Sequence, residues 1–275
     1  MHNFLRKPGP LIMGILNVTP DSFSDGGMYA STRDAVARGL NMVAEGADII
    51  DIGGESTRPG SVRVDATEQK RRILDVIAAL AKELPEEVII SVDTTLSEVA
   101  AAALDAGAGF VNDVTGGTDD ADMIALLAEY SVPYCIMHMQ GRPGDMQDNP
   151  HYTNVGQEVS DFLLQQAHKA VQAGIEQDNI ILDPGIGFGK RTDHNLALLK
   201  QLNILTQQGY QVLLGTSRKR FMGEICHEDD PAARMPATCA TTALGVQAGV
   251  KIFRVHDVWQ NRQAADVSYA ISNAD

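Results

Sequence analysis

The strongest constraint on the fold of this chain is a pattern that repeats eight times, in which a short apolar run is followed by a longer segment with helical spacing. Most of the runs are apolar without interruption and rich in β-branched residues, which is typical of strands buried on both faces. The runs span residues 11–18, 47–54, 88–93, 109–114, 133–139, 180–185, 212–217 and 252–257. Strands that alternate with helices in this way predict an α/β fold with a parallel sheet.

The segments between the runs are predicted to be helices, because apolar residues recur in them every three or four positions. Ser31 and Asp34 predict a capped start of the first helix, and Asp65 and Glu68 predict the same for the second. Further helices are predicted near residues 96–107, 120–130, 155–173, 196–208, 235–249 and 258–272.

Eight strand–helix units in 275 residues fit a single domain, residues 1–275, folded as a (β/α)8 (TIM) barrel. The alternative is an open doubly wound sheet, which usually has fewer strands in a chain of this length. The GxGxxG turn that such sheets often carry after the first strand is missing here. The barrel is therefore the predicted fold, with its active site at the C-terminal ends of the strands.

The charge balance and the cysteines exclude several classes of protein. The chain has 22 Lys and Arg against 36 Asp and Glu, a formal net charge of −14, which argues against binding to nucleic acid or to anionic membranes. No run reaches the length of a membrane span, and the start lacks the apolar segment of a signal peptide. Cys135, Cys226 and Cys239 are too few and too scattered for a disulfide framework or a zinc site. We therefore expect a cytoplasmic protein with no nucleic-acid or membrane partner.

Every predicted strand ends on a polar or charged residue. One explanation is that polar residues follow strands simply because loops are hydrated. Some of these residues, however, lie within or directly after an apolar run. An isolated charge is costly there unless it pairs with another group or takes part in binding or catalysis. This group consists of Asp93, Asn112, Asp183, Lys219 and Arg254. We therefore expect them in the active site.

These side chains have complementary capacities. Asp93, Asn112 and Asp183 offer hydrogen-bond acceptors to a planar ligand with adjacent N–H donors. Arg254 and His256 are two residues apart on the last strand, so both point to the same side. With Asn17 on the neighbouring first strand they form a polar cluster suited to a phosphate-rich group, and such barrels often hold phosphate near strands 7 and 8.

Two glycine-rich loops, residues 17–27 and 53–60, border the predicted mouth of the barrel. The first carries the aromatic Phe23, and the second carries Thr57 and Arg58 between glycines. Loops of this kind can close over a substrate. Their density of hydroxyl and charged groups favours this role over that of ordinary turns.

Seven motifs occur together and in order along the chain: MGILNVTPDSFSDGG, DIGGESTRPG, SVDT, MHMQG, DPGIGFGK, GTSRKRF and RVHDV. They resemble the dihydropteroate synthases of folate biosynthesis, a family of pterin-binding barrels, and the resemblance extends from residue 11 to about residue 258. It implies that 6-hydroxymethyl-7,8-dihydropterin diphosphate condenses with 4-aminobenzoate. The products would be 7,8-dihydropteroate and diphosphate.

The resemblance also implies roles for individual residues. The pterin would be held by Asp93, Asn112, Asp183 and Lys219. The diphosphate would be bound by Asn17, Arg254 and His256, with Asn17 also a ligand of the cofactor Mg²⁺. The aminobenzoate site would be bordered by Thr57, Arg58, Pro59, Phe188 and Ser217, under loops that carry Phe23, Ser24 and Asp25.

The residue types fit a dissociative, SN1-like mechanism. Mg²⁺, Arg254 and His256 would stabilise the anionic leaving group as the C–O bond breaks. The arylamine is largely neutral at pH 7, so no strong general base is needed. Asp93 and Asp183 would orient the pterin and offset its developing positive charge, and Lys219 would donate a hydrogen bond between the two substrates.

Other features have plainer interpretations. His138 is expected to line the barrel and His194 to be solvated. Residues 235–249 are rich in small side chains, which predicts a helix packed closely on the barrel, or a homodimer interface as the family's frequent dimers imply.

Two other functions share parts of the pattern. A methyltetrahydrofolate-dependent methyltransferase would share the pterin-binding Asp and Asn residues, but it would not need the anion-binding groups of residues 217–219 and 254–257. A barrel that binds pterin without catalysis is the other, and the seven intact motifs argue against it.

Overall fold

The computed structural model describes residues 4–19, 27–56 and 60–274. Within these residues eight parallel strands close into a barrel in chain order. The strands are β1 (Leu11–Asn17), β2 (Ile49–Gly53), β3 (Ile89–Asp93), β4 (Phe110–Asp113), β5 (Tyr134–Met137), β6 (Ile180–Asp183), β7 (Gln211–Leu214) and β8 (Ile252–Val255). The (β/α)8 fold predicted from the alternation is confirmed, and the open sheet is excluded because β1 pairs with β8.

Ten α-helices in the described part of the chain surround the barrel. They are α1 (Gly27–Ala44), α2 (Ala66–Glu83), α3 (Ser97–Asp105), α4 (Met123–Tyr130), α5 (Val155–Gln172), α6 (Thr192–Lys200), α7 (Asn203–Thr206), α8 (Arg220–Cys226), α9 (Met235–Gln247) and α10 (Val258–Ser272). Over the ranges described above, none is both long enough and apolar enough to cross a membrane.

Two helix predictions need correction. The first helix already begins at Gly27, so Ser31 lies inside it and is not its cap. The single helix expected at residues 196–208 is two helices, α6 and α7, with a break at residues 201–202. By contrast, Asp65 caps α2 as predicted, because its side chain accepts a 2.9 Å hydrogen bond from the backbone N–H of Glu68.

The interior of the barrel changes from apolar to polar along its axis. Alternate residues of each strand face inward. Near the N-terminal ends these positions form an inner core: Leu11, Met13, Ile49, Phe110, Cys135, Ile181, Leu213 and Ile252. Most of the next inward positions are polar, namely Asp51, Ser91, Asp93, Asn112, Asp183 and Arg254, whereas Ile15 and Met137 are apolar. Charged and amide groups therefore form much of the floor of the cavity at the C-terminal ends.

The N-terminal end of the barrel is covered by a short 3₁₀ turn, Phe4–Arg6. Leu5 is buried in the inner core, and the ring of Phe4 lies 6.2 Å from that of Phe110. The turn closes the end of the barrel that lies opposite the polar layer.

Candidate active site

A cavity of about 470 Å³ opens at the C-terminal ends of the strands. The predicted site residues that line it are Asn17, Asn112, Asp183, Phe188, Ser217, Lys219, Arg254 and His256. Asp93 is buried beneath them and bonds to Arg254. The remaining predictions, Phe23, Ser24, Asp25, Thr57, Arg58 and Pro59, lie outside the described residues.

Arg254 joins two carboxylates at the floor of the cavity. Its Nε donates to Asp51 Oδ2 and its Nη2 donates to Asp93 Oδ2, both at 2.6 Å. The guanidinium has five N–H donors, so further donors remain beyond these two for an anion in the cavity. The two carboxylates raise the pKa of Arg254 despite its burial, so it stays charged.

Asp51 is a member of this network that the sequence analysis missed. It is fully buried, and it accepts hydrogen bonds from Ser91 Oγ at 2.6 Å and from Asn112 Nδ2 at 3.0 Å as well as from Arg254. Because the Nδ2 of Asn112 donates to Asp51, its Oδ1 is the atom left to accept from a ligand. Asp51 therefore orients the Asn112 amide so that its Oδ1 is available to a ligand in the cavity.

Asp93 and Asp183 are buried carboxyl groups with raised pKa values. Burial raises the pKa of Asp93 to about 7, with Arg254 opposing and Asp51 adding to the rise. Burial also raises the pKa of Asp183 to about 6, against the backbone N–H of Gly185, which donates to its Oδ1 at 2.7 Å, and the charges of Lys219 and Arg254. Above neutral pH such groups are ionised and accept hydrogen bonds from N–H donors. Near pH 6 to 7 they take up protons.

Lys219 and Phe188 form one wall of the cavity. The Nζ of Lys219 lies 4.0 Å from the centroid of the Phe188 ring, within the range of a cation–π interaction. Burial and the charge of Arg254 together lower the pKa of Lys219 to about 8, against the opposing charges of Asp183 and Asp93. Arg218, which precedes it, has a left-handed φ of 60° and pairs with Asp257 through two hydrogen bonds. Lys219, not Arg218, is therefore the cation of this loop placed beside the aromatic ring.

The ends of β7 and β8 are held together beside the cavity. Ser217 Oγ lies 2.9 Å from His256 Nδ1, and the backbone N–H of His256 donates to the same oxygen at 3.1 Å. Arg254 and His256 line the same cavity, in agreement with their spacing of two residues. Asn17, at the end of β1, lines it with them.

Lys190 is a second residue near the cavity to which the sequence analysis gave no role. Its Nζ lies 2.9 Å from His138 Nδ1, and it donates to the backbone oxygens of His138 at 3.2 Å, Gly185 at 2.9 Å and Phe188 at 3.0 Å. Burial lowers the pKa of Lys190 to about 7 while Asp183 opposes this, and four acceptors around one nitrogen favour the ammonium. Burial also lowers the pKa of His138 to about 3, so the imidazole is neutral, and its Nδ1 accepts from Lys190 in the tautomer that carries the proton on Nε2.

Comparison with known proteins places this geometry in a family. A family model described as "Pterin binding enzyme" matches residues 13–256. The dihydropteroate synthase of Bacillus subtilis is 45% identical over 267 residues, covering 97% of this chain and 90% of that protein. The mitochondrial folate synthesis bifunctional protein of Pisum sativum is 45% identical in an alignment 274 residues long that covers 95% of this chain. The match spans about half of that longer protein, 53%.

A solved structure gives the same result for the fold. The dihydropteroate synthase of Xanthomonas albilineans with 4-aminobenzoic acid superposes with a TM-score of 0.91 at 42% identity. The alignment covers 98% of this chain and 95% of that one.

Proposed function

Since the chain belongs to the family of pterin-binding enzymes and, within it, to the dihydropteroate synthases, we propose that it condenses 6-hydroxymethyl-7,8-dihydropterin diphosphate with 4-aminobenzoate. The products are 7,8-dihydropteroate and diphosphate. One observation carries the proposal furthest: a buried set of hydrogen-bond acceptors lies beside a lysine and an aromatic wall in a single cavity.

The acceptors suit the pterin. Its ring presents adjacent N–H donors along one edge, and Asp183 and the Oδ1 of Asn112 face the cavity as acceptors, with Asp93 buried behind them. Hydrogen bonds to an ionised carboxylate are stronger than those between neutral groups. The negative charges of the two aspartates also offset positive charge that develops on the pterin when the leaving group departs.

The proposed reaction exchanges one bond for another. The C–O bond between the pterin methylene and the diphosphate breaks, and the electron pair leaves with the diphosphate. The amine nitrogen of 4-aminobenzoate forms a C–N bond to the methylene carbon and then loses one proton. Arg254 and His256 stabilise the departing anion, and Phe188 packs against the arylamine. Lys219 lies between the two substrates.

The donor set near Asn17 fits a magnesium ion that arrives with the diphosphate. Mg²⁺ prefers oxygen ligands and usually combines few protein groups with substrate phosphates and water. The Asn17 amide offers one such oxygen beside Arg254 and His256, while no cluster of three His, Cys, Asp or Glu side chains stands in the described ranges to hold a metal alone. When bound, Mg²⁺ would neutralise charge on the diphosphate.

The test is diphosphate release when the purified protein is mixed with both substrates and Mg²⁺. We expect release that requires all three components. Lys219→Ala and Arg254→Ala should each lower kcat/KM at least tenfold, on the order of 1.4 kcal/mol of transition-state stabilisation. Arg6→Ala, a charge removed at the opposite end of the barrel, is the control and should keep wild-type kinetics. Pterin binding without diphosphate release would contradict the proposal.

We also propose a homodimer through the outer face of α9 and α10, in the cytoplasm. Large apolar side chains are exposed there, among them Leu244 at 65%, Trp259 at 53% and Ile271 at 65%. Exposed apolar patches of this kind mark protein–protein contacts. Sedimentation should give twice the chain mass for the wild type, and Leu244→Glu should shift it towards the monomer. A wild-type monomer at micromolar concentration would contradict this part of the proposal.

A further inference from the structure

Lys190 occupies the junction of the loops that follow β5 and β6, and the proposed reaction does not use it. It is 2% exposed. Three of the four groups within hydrogen-bond distance of its Nζ are backbone carbonyls, which can only accept, and the fourth is the Nδ1 of His138. Carbonyl oxygens have no proton to give, so the nitrogen must supply the donors. An ammonium has three N–H donors and a neutral amine only two, so the geometry calls for the cation.

The carbonyls converge because the two loops pack backbone against backbone. A Cβ atom on Gly185 would lie 1.9 Å from the carbonyl oxygen of His138, and one on Gly189 would lie 2.2 Å from that of Gln140. Gly185 and Gly189 have φ values of 65° and 61°, which few other residues adopt. This close approach brings peptide oxygens together around one point, and a buried carbonyl without a donor destabilises the fold.

We propose that Lys190 is a positioning residue for both substrates, a cation on the chain held in a cage formed by the carbonyls of His138, Gly185 and Phe188. The inference rests on the proposed function and names a residue that supports the same site. The hydrogen bonds of Lys190 go neither to the carboxylates proposed to bind the pterin, Asp93 and Asp183, nor to the ring of Phe188. It acts through the backbone of the residues that do.

Two contacts connect the cage to the site. The Gly185 carbonyl is bound by Lys190, and the N–H of the same residue donates to Asp183 at 2.7 Å. The Phe188 carbonyl is bound by Lys190, and the ring of the same residue lies under Lys219. Release of the cage would therefore misplace the Asp183 carboxylate and the aromatic wall together.

Replacing Lys190 by alanine tests the cage directly. Lys190→Ala leaves the three carbonyls and the imidazole around a space that an ammonium ion fits. In sodium buffer we expect kcat/KM for each substrate to fall at least tenfold, and ammonium chloride should restore it at least fivefold. Sodium chloride at the same ionic strength should restore nothing. Lys190→Met is the matched control, because its terminal methyl group fills the space and should prevent rescue by ammonium.

Thermal unfolding provides a readout that does not depend on catalysis. Ammonium chloride should raise the Tm of Lys190→Ala above its value in an equal concentration of sodium chloride. The wild type and Lys190→Met should show no such difference. If the wild type releases no diphosphate, the proposed function fails while this measurement still tests the cage.

Two results would overturn the inference: wild-type kinetics in Lys190→Ala, or a kinetic deficit that ammonium leaves unchanged. Recovery of folded Lys190→Ala only from ammonium buffer would support it. If this variant folds in no buffer, Lys190→Gln takes its place, since it keeps two N–H donors in the same space. Kinetic constants equal to those of the wild type in Lys190→Gln would likewise overturn the inference.

Discussion

Asp183, proposed above to bind the pterin, lowers the stability of the fold that holds it. Its folded-state pKa of about 6 lies above the ordinary value of 3.8. The folded protein therefore binds more protons at this group than the unfolded chain between about pH 4 and pH 6. Its contribution to the free energy of unfolding is present below pH 4 and is lost as the pH rises through 6.

Asp183→Asn should reveal this cost. Relative to the wild type, its free energy of unfolding should rise between pH 4 and pH 7, by on the order of 3 kcal/mol for a difference of two pH units in pKa. Diphosphate release should fall at the same time, because an acceptor for the pterin is weakened. Urea denaturation at several pH values measures the first effect. A difference between variant and wild type that stays constant with pH would contradict it.

Asp51 gives a second prediction at the scale of the residue. Asp51→Asn removes the group that orients Asn112 and pairs with Arg254, so kcat/KM for the pterin substrate should fall at least tenfold. The negative charge of Asp51 also contributes to the raised pKa of Asp93. Its removal should move the acid limb of the kcat/KM profile to lower pH.

The matched control for Asp51→Asn is Ser91→Ala, which removes one hydrogen bond to Asp51 and leaves those of Asn112 and Arg254. It should lower kcat/KM less than Asp51→Asn does, since the negative charge of Asp51 and its bonds to Asn112 and Arg254 remain in place. Equal effects of the two variants would show that Asp51 acts only through general packing.

The residues that the sequence analysis missed depend on contacts from distant parts of the chain. Asp51 carries the same signal as Asp93, an acidic residue in an apolar run, but it does not end its run. Lys190 follows a loop of glycines, and the carbonyls around it meet only after folding. His194, expected to be solvated, is buried, because Tyr152 packs against it with ring centroids 4.9 Å apart.

At the scale of the element, α9 packs on the barrel through a glycine. A Cβ atom on Gly245 would lie 2.6 Å from Phe253 Cε1 and 3.1 Å from Leu214 Cδ2. This accounts for the small residues of the segment, in agreement with the predicted closely packed helix. Strand and helix periodicity could be predicted from the sequence, whereas the break between α6 and α7 could not, because no proline or glycine marks it.

Gly245→Ala should lower the free energy of unfolding by about 1–3 kcal/mol, the usual cost of overpacking a buried site. Gly39→Ala, in α1, is the control. Its new methyl group would meet Leu80 Cδ1 and Cδ2 at 3.0 Å, contacts longer than the 2.6 Å contact at Gly245, and the higher helix propensity of alanine offsets them. It should therefore stay within about 1 kcal/mol of the wild type in urea denaturation. Equal losses in the two variants would contradict the close packing of α9.

At the scale of the whole molecule, the net charge of −14 does not describe the active site. Acidic and basic groups occur there in similar numbers: Asp51, Asp93, Asp183, Lys190, Lys219 and Arg254. The closed barrel and its polar C-terminal end could be predicted from the strand count and the strand ends. The apolar cover at the other end could not, because only the closed barrel brings residues 4–6 to its core.

The cover should be important for the stability of the entire barrel. Leu5→Ala removes a side chain buried in the inner core and should lower the free energy of unfolding by about 2–4 kcal/mol. Arg6→Ala breaks only the exposed ion pair with Asp178 and should cost no more than about 1 kcal/mol. Calorimetry compares the two. A smaller loss for Leu5→Ala than for Arg6→Ala would show that the turn does not seal the barrel.

The covalent attachment of the ammonium of Lys190 has a consequence for the cell that contains this protein. A carbonyl cage filled by a diffusing ion is occupied only as far as the surrounding potassium or ammonium concentration permits. Here the ammonium group belongs to the side chain of Lys190, so every copy of the protein carries it. We therefore expect the shape of the loops after β5 and β6 not to depend on the concentration of potassium or ammonium ions around the protein.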